Sequence, residues 1–581
     1  MVKKKLNSED VYTGYLRVLE SLVDVNANPR EGIFNAIKNI LDGKLLVLSA
    51  PPGYGKTMIV YTLGYFASKG LGPFAPRVIH VLPLRSIIDD CHLRLFDNDN
   101  PKISELSHRA VARQMMSAHE SPWLQKSLIF TTIDTFTYCA LRLPPKEKHK
   151  ITGGRTLGHG LYTKSAIISS SIVFDEVQLF LEESTRLASV LASLLEWLSF
   201  LSSPMVIMSA TLPKAFEEFV KGCCGKSITV LRYGRDFRDQ NFEEERIAKC
   251  LLTSVASGGC SKIVEKGLEM AGTYNRVLIT TNTVKRCIAV AHALRERGLN
   301  PVILHGKIAR GQRDKRLRML NGDKWVAVTT QVIEAGVDIS ADVLISDFAS
   351  PCSLVQRAGR VLRHSKEKQQ KGEIIIIKDK ETIKGDKAYG VYDISLTKAS
   401  IKFLEKFGDK LTWHLPYVSN DSLIGYEKFI EETYTSSGFQ ILVEESVRKN
   451  VFGFLLRLSP DPKNIQKFIE EMEGTITRDS PLILGLVNKE RLTFNQIIDF
   501  ADLQKLVEKW AVTLNLIDCK KLLEHSAPVI SPLEKDGDSF RVQDYKDISR
   551  KRDFIDNILR GEISAILIPE RFYDDNYGLI L

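Results

Sequence analysis

Short runs of Val, Ile and Leu alternate with helical patterns through the N-terminal part of the chain. The helical stretch Thr57–Ser68 follows the first of these runs after a turn rich in Pro and Gly. Uninterrupted aliphatic runs separated by helices are typical of a parallel sheet that is covered on both faces. The predicted strands of this first block are Lys44–Ser49, Arg77–Leu82, Leu128–Thr131, Ile167–Phe174 and Met205–Met208.

A second block with the same rhythm begins near Asn275, with predicted helices at Val284–Arg297 and Ser353–His364. The two blocks predict an α/β protein with two tandem, doubly wound parallel-sheet domains and a cleft between them. Ligands of such sheets bind beyond the carboxyl ends of the strands. The predicted strands of the second block are Arg276–Thr280, Pro301–Leu304, Trp325–Thr329, Asp342–Ser346 and Glu373–Ile377.

The chain loses this rhythm after about Asp379 and becomes charged and helical in pattern. We therefore expect domains at residues 1–225 and 226–380, followed by a mainly helical accessory region at 381–581. Trp413 and Trp510 in that region are most simply core residues. The uncharged stretch Trp197–Pro213 is interpreted as a helix end, a turn and a buried strand rather than a membrane span.

Composition places the chain among globular proteins, since 44% of its 581 residues are hydrophobic and 26% are charged. This excludes wholesale disorder, a fibrous repeat and a small disulfide scaffold. The net charge of +9 is compatible with nucleic acid but does not identify it. Nine Cys at irregular spacings, without a CxxC pair, indicate reduced thiols in a cytoplasmic protein. The basic N-terminus is not followed by the apolar stretch that a secretory signal requires, so we expect no secretory signal.

The clearest chemical motif is a phosphate-binding loop between the first strand and the first helix of the sheet. Its glycines allow backbone N–H groups to face phosphate oxygens, its Lys supplies a positive charge, and its Thr places a hydroxyl on Mg²⁺. Ala50 stands where the usual pattern has Gly. The residues predicted to bind ATP here are Pro52, Gly53, Tyr54, Gly55, Lys56 and Thr57.

Two further groups complete the chemistry that hydrolysis of ATP requires. Asp175 and Glu176 end a predicted strand, where Asp175 holds Mg²⁺ and Glu176 polarises the attacking water. Arg360 and Arg363 are spaced to share one face of the predicted helix Ser353–His364, so both can reach a γ-phosphate bound on the other domain. A basic, solvated helix is the simpler alternative, but the neighbouring Gln356 and Gly359 favour arginine fingers.

With these motifs in order, the chain resembles superfamily 2 helicases over roughly residues 30–380, which implies two RecA-like domains. The ordered set is Ala50–Thr57, Asp175–Gln178, Ser209–Thr211, 281–283, Glu334–Asp338 and Gln356–Arg363. The resemblance implies that Gln356 and Asp338 contact the nucleotide or couple the two domains, and that Gly336 belongs to the nucleotide site. It also implies that nucleotide and nucleic-acid sites are coupled through Gln178, Ser209, Ala210 and Thr211. The contacts to the nucleic-acid backbone that it implies are Pro83, Arg85, Thr132, Asp134, Thr281, Asn282, His305, Gly306, Arg310 and Thr330.

Within that superfamily the chain looks most like the CRISPR-associated helicase of type I interference systems. The pointers are Pro51–Pro52, Phe174–Val177, Ser209–Pro213, Glu334–Ile339 and Ser350–Pro351. The likeness implies 3′→5′ movement along single-stranded DNA that is exposed by a guide-RNA surveillance complex, together with an HD-type metal nuclease.

Three departures from that family pattern change what the resemblance implies. Gln178 stands where the family usually has His, and Phe34 lies near the place of an adenine-reading Gln. The chain contains no His-Asp dipeptide, and its phosphate loop begins at Ala50. We therefore expect the nuclease to be a separate polypeptide.

Two other functions remain open at this stage. One is a superfamily 2 helicase that acts in DNA repair or on RNA, where contacts to the 2′-hydroxyl favour the RNA strand. The other is an ATP-gated clamp on nucleic acid without motor activity. Groups that a clamp does not need, such as Glu176 and Arg360, count against it.

Overall fold

The computed structural model describes residues 6–24, 27–71, 76–115, 118–147, 151, 158–225, 228–364, 371–379, 387–388, 391–418, 422–457, 462–472, 476–477, 482–533, 539–548, 557 and 563–581. The basic run at 3–5 and the expected boundary at 380/381 lie outside these residues. Both predicted α/β blocks are present, and a third body follows them.

The first block folds around a parallel sheet whose central strands are buried on both faces, as their aliphatic runs predict. A short antiparallel strand closes one edge. In spatial order the strands described are Ile228–Arg232, Leu45–Ser49, Met205–Ser209, Ser170–Asp175, Arg77–Leu82, Leu128–Thr132, Val111–Met115 and Ala118–His119. The helices of this block are Ser8–Leu22, Glu31–Leu41, Thr57–Ser68, Arg85–Leu93, Ile133–Ala140, Gly160–Ile168, Val177–Glu183, Thr185–Phe200, Lys214–Cys224 and Gln240–Ile247.

The edge of this sheet corrects the expected domain boundary. Ile228–Arg232 pairs in parallel with Leu45–Ser49, although the expected boundary at 225 assigns it to the second domain. Its side chains are mostly half-buried, as suits an edge strand, so its hydrophobic pattern is weak. The first sheet therefore continues at least to Arg232.

The second block is a fully parallel sheet over its described residues. Its strands in spatial order are Cys250–Ser257, Lys371–Lys378, Val343–Asp347, Arg276–Thr280, Trp325–Thr329 and Val302–Leu304. Its helices are Cys260–Thr273, Val284–Glu296, Arg310–Met319 and Pro351–Ala358. The last helix ends at Ala358, so the predicted helix Ser353–His364 is wrong at its C-terminal end.

The C-terminal region is helical at first, as predicted, and then adds a mixed sheet that the sequence pattern did not reveal. The helices are Ile394–Phe407, Tyr426–Ser437, Glu445–Leu456, Pro462–Glu471, Phe500–Trp510, Leu516–Glu524 and Tyr545–Ile548. The described strands of the sheet, in spatial order, are Ile497–Asp499, Ser539–Gln543, Val529–Pro532, Ala565–Ile568, Ile483–Val487 and Ala511–Leu514. These strands are short and separated by long insertions, so no regular spacing marks them.

The C-terminal region packs against both α/β domains. Tyr426 donates a hydrogen bond from its hydroxyl to the carbonyl oxygen of Ala210 in the first domain, at 3.0 Å. The backbone N–H of Ala309 in the second domain donates to the hydroxyl of Tyr573, at 2.9 Å. Trp413 is buried, which confirms its core assignment. No helix among the described residues combines the length and the apolar character that crossing a membrane demands.

Candidate nucleotide site

The phosphate-binding loop lies between its predicted strand and helix, and its backbone is curled as that motif requires. Gly53 and Gly55 have φ values of 77° and 92°, in the left-handed region that favours glycine. A Cβ atom added to Gly55 would meet no heavy atom within 4 Å, so the loop is open there. The N–H of Ala50 donates to the carbonyl oxygen of Ser209, at 3.2 Å, which ties the loop to the neighbouring strand.

Lys56 is buried inside this loop. Its ammonium group donates to the carbonyl oxygen of Ala50 at 2.9 Å and approaches that of Pro51 at 3.4 Å. Burial lowers the pKa of Lys56, while the nearby carboxylates of Glu176 and Asp175 oppose that shift. The buried charge is thus placed where an anionic phosphate would compensate it.

Tyr54 points away from the expected nucleotide. Its ring is fully buried and lies 5.4 Å from the ring of Tyr233 and 5.4 Å from that of Phe242, edge to face in both pairs. Its N–H donates to the carbonyl oxygen of Pro51. The side chain of Tyr54 therefore stabilises the loop by packing against these rings. Only its backbone is available to the phosphates.

Asp175 and Glu176 end the strand Ser170–Asp175, next to Met205–Ser209 in the sheet. Glu176 adopts a left-handed backbone with φ 50°, which is costly for a residue with a side chain and is characteristic of functional sites. Burial raises the pKa of Glu176, with the charge of Lys56 opposing the shift. A raised pKa suits a group that must accept a proton or orient water.

His80 is a member of the site that sequence reasoning missed. Its Nε2 lies 3.2 Å from Oδ2 of Asp175, and both side chains are buried. His80 belongs to the strand Arg77–Leu82, which pairs with the strand that carries Asp175. Only the strand order brings the two together, so no spacing in the sequence could signal this contact.

A hydrogen-bond chain joins the two α/β domains across Glu176. Oε2 of Glu176 accepts from Nε2 of Gln178 at 2.7 Å and from Nε2 of Gln356, in the second domain, at 3.0 Å. Oε1 of Gln178 accepts from the hydroxyl of Ser209 at 2.5 Å, and that hydroxyl accepts from the N–H of Thr211 at 2.9 Å. Gln178 therefore contacts the segment Ser209–Thr211 through a hydrogen bond, although the family usually has His at this position.

The arginines of the second domain do not share a helical face, because the helix ends before them. Leu362 has φ 51°, and the turn it forms separates Arg360 from Arg363. Arg360 is buried and donates to the carbonyl oxygens of Ile333 at 3.0 Å and Glu334 at 2.8 Å. The charges of both arginines nevertheless lower the pKa of Lys56, and a Cβ on Gly359 would lie 3.3 Å from Cβ of Pro52, so this segment runs beside the phosphate loop.

Asp338 and Gly336 lie where the domains meet, as the nucleotide-site prediction requires. Oδ1 of Asp338 is 2.9 Å from Nε of Arg363, and Oδ2 is 3.2 Å from Arg94 of the first domain. A hydrogen bond with His364, at 2.9 Å, and the charges of Arg363 and Arg94 hold the pKa of the Asp338 carboxyl well below its usual range, against the effect of burial. A Cβ on Gly336 would lie 2.6 Å from the backbone N of Ile87, so only glycine permits this close approach.

Several residues predicted to contact nucleic acid are buried and contact other residues of the second domain. Thr281, Thr330 and His305 are buried, and Nδ1 of His305 accepts from the N–H of Lys307 at 3.2 Å. Asn282 is 2% exposed, and its Oδ1 accepts from the fully buried Arg357 at 2.9 Å. Asn282 therefore positions Arg357 in the second domain, and its contact to nucleic acid stays a prediction.

Two of the remaining predicted contacts, Arg310 and Asp134, lie at domain borders. Arg310 donates to Oδ1 of Asp89 in the first domain at 2.7 Å. Asp134 accepts a hydrogen bond of 2.5 Å from Thr477 of the C-terminal region, and Thr132 caps the helix Ile133–Ala140. Pro83 is buried, Arg85 is half-buried at the start of its helix, and a Cβ atom added to Gly306 would meet no heavy atom within 4 Å. Within the described residues, no group of three or more His, Cys, Asp or Glu side chains could hold a metal ion.

Two segments of the chain match known helicase families. Residues 34–219 match the family model of the DEAD/DEAH box helicases, and residues 273–366 match that of the CRISPR-associated nuclease/helicase Cas3, C-terminal. A CRISPR-associated nuclease/helicase Cas3 of Methanothermobacter thermautotrophicus is 25% identical over 426 residues, which are 70% of this chain and 48% of that protein. A CRISPR-associated helicase Cas3 of Thermoproteus tenax is 27% identical over 343 residues, 55% of this chain and 54% of that protein. The chain thus spans about half the length of these curated relatives.

Solved structures agree on the fold. The crystal structure of T. fusca Cas3 with AMPPNP superposes with a TM-score of 0.62 at 16% identity, covering 97% of this chain and 71% of that one. The predicted tandem RecA-like fold is therefore confirmed. The resemblance to superfamily 2 helicases, and among them to the CRISPR-associated helicase, is also confirmed.

Proposed function

We propose that the chain is an ATP-dependent translocase that moves 3′→5′ along single-stranded DNA and unwinds target DNA in a type I CRISPR interference system. The observation that carries this proposal is the pair of hydrogen bonds on Glu176, one from each α/β domain. A hydrolytic carboxylate that both domains hold links the opening and closing of the cleft to turnover. A clamp without turnover has no need for such a link.

The residues of the cleft fit ATP with Mg²⁺. Lys56 faces the phosphates, and Thr57 and Asp175 supply the oxygen ligands that Mg²⁺ prefers. When bound, Mg²⁺ neutralises charge on the phosphate chain. Glu176 orients the attacking water, and Arg360 and Arg363 stabilise the charge that develops on the transferred phosphoryl group.

The nucleic acid is held through its backbone, so movement is largely independent of sequence. Arg310 begins a strongly basic helix, Arg310–Met319, which packs against the helix Phe500–Trp510 of the C-terminal region. Arg85 begins a helix of the first domain. Contacts of this kind release counterions, so affinity falls as salt rises.

The partners we propose are the guide-RNA surveillance complex and a separate HD-type nuclease. One similar structure, with a TM-score of 0.59 at 17% identity, is a CRISPR RNA-guided surveillance complex before nicking. The 581 residues contain no His-Asp dipeptide, so we assign strand cleavage to a nuclease that these 581 residues do not include.

RNA remodelling is the second candidate function. A probable ATP-dependent RNA helicase, DDX52 of Bos taurus, is 23% identical over 357 residues, 60% of this chain and 55% of that protein. The T. tenax and M. thermautotrophicus matches favour DNA interference over this alternative.

The deciding experiment is steady-state ATP hydrolysis with Mg²⁺, without polymer, with single-stranded DNA and with single-stranded RNA, beside Lys56→Ala. We expect strong stimulation by DNA that the variant loses. Preferential stimulation by RNA would instead support the remodelling function, and binding without stimulated hydrolysis would support a clamp. Strand displacement from substrates with 3′ or 5′ single-stranded tails then tests the direction.

A further inference from the structure

Arg246 lies at the phosphate loop although it belongs to no motif. It is on the helix Gln240–Ile247, which follows the last strand of the first sheet and leads into the second domain. Its Nη2 lies 3.1 Å from the position that a Cβ on Gly53 would take. Its Nη1 donates to the carbonyl oxygen of Arg363 at 3.4 Å. One side chain from the interdomain linker therefore touches both the phosphate loop and the arginine-finger segment.

The charge of Arg246 is poorly compensated. The side chain is only 7% exposed, as buried as Arg360. Among the residues described, its Nε has no hydrogen-bond partner. Its nearest carboxylate, that of Glu245, is 3.9 Å away, and lies nearer to Lys249, at 3.0 Å.

More positive than negative charge surrounds Arg246. Burial lowers its pKa, the charge of Glu245 opposes that shift, and the charges of Arg363 and Arg30 add to it. A buried cation without a matched anion destabilises a folded protein. Such an arrangement is expected where a ligand supplies the missing acceptor.

The guanidinium group is also held in place for a ligand. It lies over the ring of Phe242 at 5.0 Å from the ring centre, and Arg30 lies over the same ring at 4.8 Å. Arg30 in turn donates to the carbonyl oxygen of Gly53 at 3.2 Å. Stacking of this kind fixes a planar guanidinium while leaving its N–H groups free to donate.

We propose that Arg246 is a nucleotide-binding residue, which donates from the interdomain linker to an oxygen or ring-nitrogen acceptor of the nucleoside triphosphate on the phosphate loop. This inference rests on the proposed ATPase function of the same cleft. Binding of nucleotide supplies the acceptor that the unliganded protein lacks, so the linker is fixed when the site is filled.

The alternative is that Arg246 only packs against Phe242. Arg246→Met separates the two roles, because Met keeps an unbranched apolar side chain on the ring and removes the charge. Arg297→Met, at an exposed position after the helix Val284–Glu296, is the matched control. Arg246→Lys keeps the charge and removes the planar fork.

The measurements are the affinity for a fluorescent ATP analogue without nucleic acid, and the thermal unfolding midpoint with and without a non-hydrolysable ATP analogue. For Arg246→Met we expect affinity to fall about 10- to 100-fold, the range for a lost hydrogen bond to a charged group. We expect the unliganded midpoint to stay equal or rise, since an unpaired buried charge is removed. The increase caused by the analogue should shrink in that variant and persist in Arg297→Met.

Unchanged affinity in Arg246→Met would overturn the inference. If the unliganded midpoint also falls in that variant, Arg246 is assigned to packing alone. Lys56→Ala provides the reference. If Lys56→Ala and Arg246→Met both leave the affinity for nucleotide unchanged, the proposed ATP site is wrong. If only Lys56→Ala lowers that affinity, the ATP site stands and Arg246 is not part of it.

Discussion

Gln356 of the second α/β domain donates from Nε2 to Oε2 of Glu176 in the first domain, at 3.0 Å. The two residues are 180 positions apart: Glu176 directly follows the strand Ser170–Asp175, and Gln356 lies on the helix Pro351–Ala358. The same carboxylate oxygen accepts from Gln178, which continues the chain of contacts to Ser209. The orientation of the proposed hydrolytic group therefore depends on closure of the cleft.

Gln356→Ala is expected to lower kcat for ATP hydrolysis about 10- to 100-fold while changing nucleotide affinity little, because it removes a hydrogen bond to a charged group that only closure makes. Stimulated hydrolysis and binding of a fluorescent ATP analogue, measured side by side, check this. Gln240→Ala, at an exposed position, is the control. Equal loss of affinity and kcat would show that Gln356 serves binding rather than orientation of Glu176.

Ser209→Ala is expected to reduce strand displacement more than ATP hydrolysis. The hydroxyl of Ser209 connects Gln178 to the backbone of Thr211, and Ala removes that connection without touching the bond between Gln178 and Glu176. The ratio of strand displacement to ATP consumed is the quantity to measure. Ser203→Ala, in the turn before the same strand, is the comparison. An unchanged ratio would remove Ser209 from the coupling path.

Asp89→Asn is expected to strengthen binding of single-stranded DNA several-fold in the absence of nucleotide. In this conformation the Asp89 carboxylate lies 2.7 Å from Arg310 and 3.0 Å from Arg113, so it competes with a phosphate for Arg310. Neutralising Asp89 frees the guanidinium group of Arg310 to bind DNA. The slope of log affinity against log salt concentration should then become steeper by about one phosphate contact. Titration of labelled DNA at several salt concentrations checks both effects.

The matched control is Asp97→Asn, at an exposed position in the same domain. Arg310→Ala should move affinity and salt slope in the opposite direction. If Asp89→Asn weakens DNA binding, the carboxylate supports the nucleic-acid site instead of competing with it.

His305 makes the stability of the protein depend on pH. Burial lowers the pKa of His305 to about 4, below its ordinary value of about 6.5. Between these values the unfolded chain binds more protons than the folded one, so stability is full above pH ~6.5 and falls as pH drops toward 4. Each pH unit in that window costs up to ~1.4 kcal/mol for this residue.

His305→Asn keeps an acceptor for the N–H of Lys307 and cannot titrate in this range. We expect urea unfolding midpoints of the variant to change less than those of the parent between pH 7 and pH 5, although buried His92, whose pKa is also lowered to about 4, still contributes. His292→Asn, at an exposed position, is the comparison variant. Identical pH profiles for His305→Asn and the parent would contradict the burial argument.

The sequence by itself determined the local chemistry. A phosphate loop, a strand that ends in Asp175–Glu176 and the alternating aliphatic runs are contiguous patterns. Their physical requirements, a tight turn, a helix N-terminus and burial on both faces, act over a few residues. For that reason the strands Arg77–Leu82, Arg276–Thr280 and Trp325–Thr329 agree with the predicted bounds.

Tertiary structure alone decided which distant groups meet. The strand order brings His80 to Asp175, and domain packing brings Asp89 to Arg310, 221 residues away. The turn at Leu362 replaces the predicted helix end, because the carbonyl oxygen of Arg360 and the N–H of Leu362 bond to the backbone of Ala341 instead of continuing the helix. These contacts depend on the order of strands and on the closure of two bodies. Neither of these is encoded in the spacing of residues along the chain, so only the folded molecule reveals them.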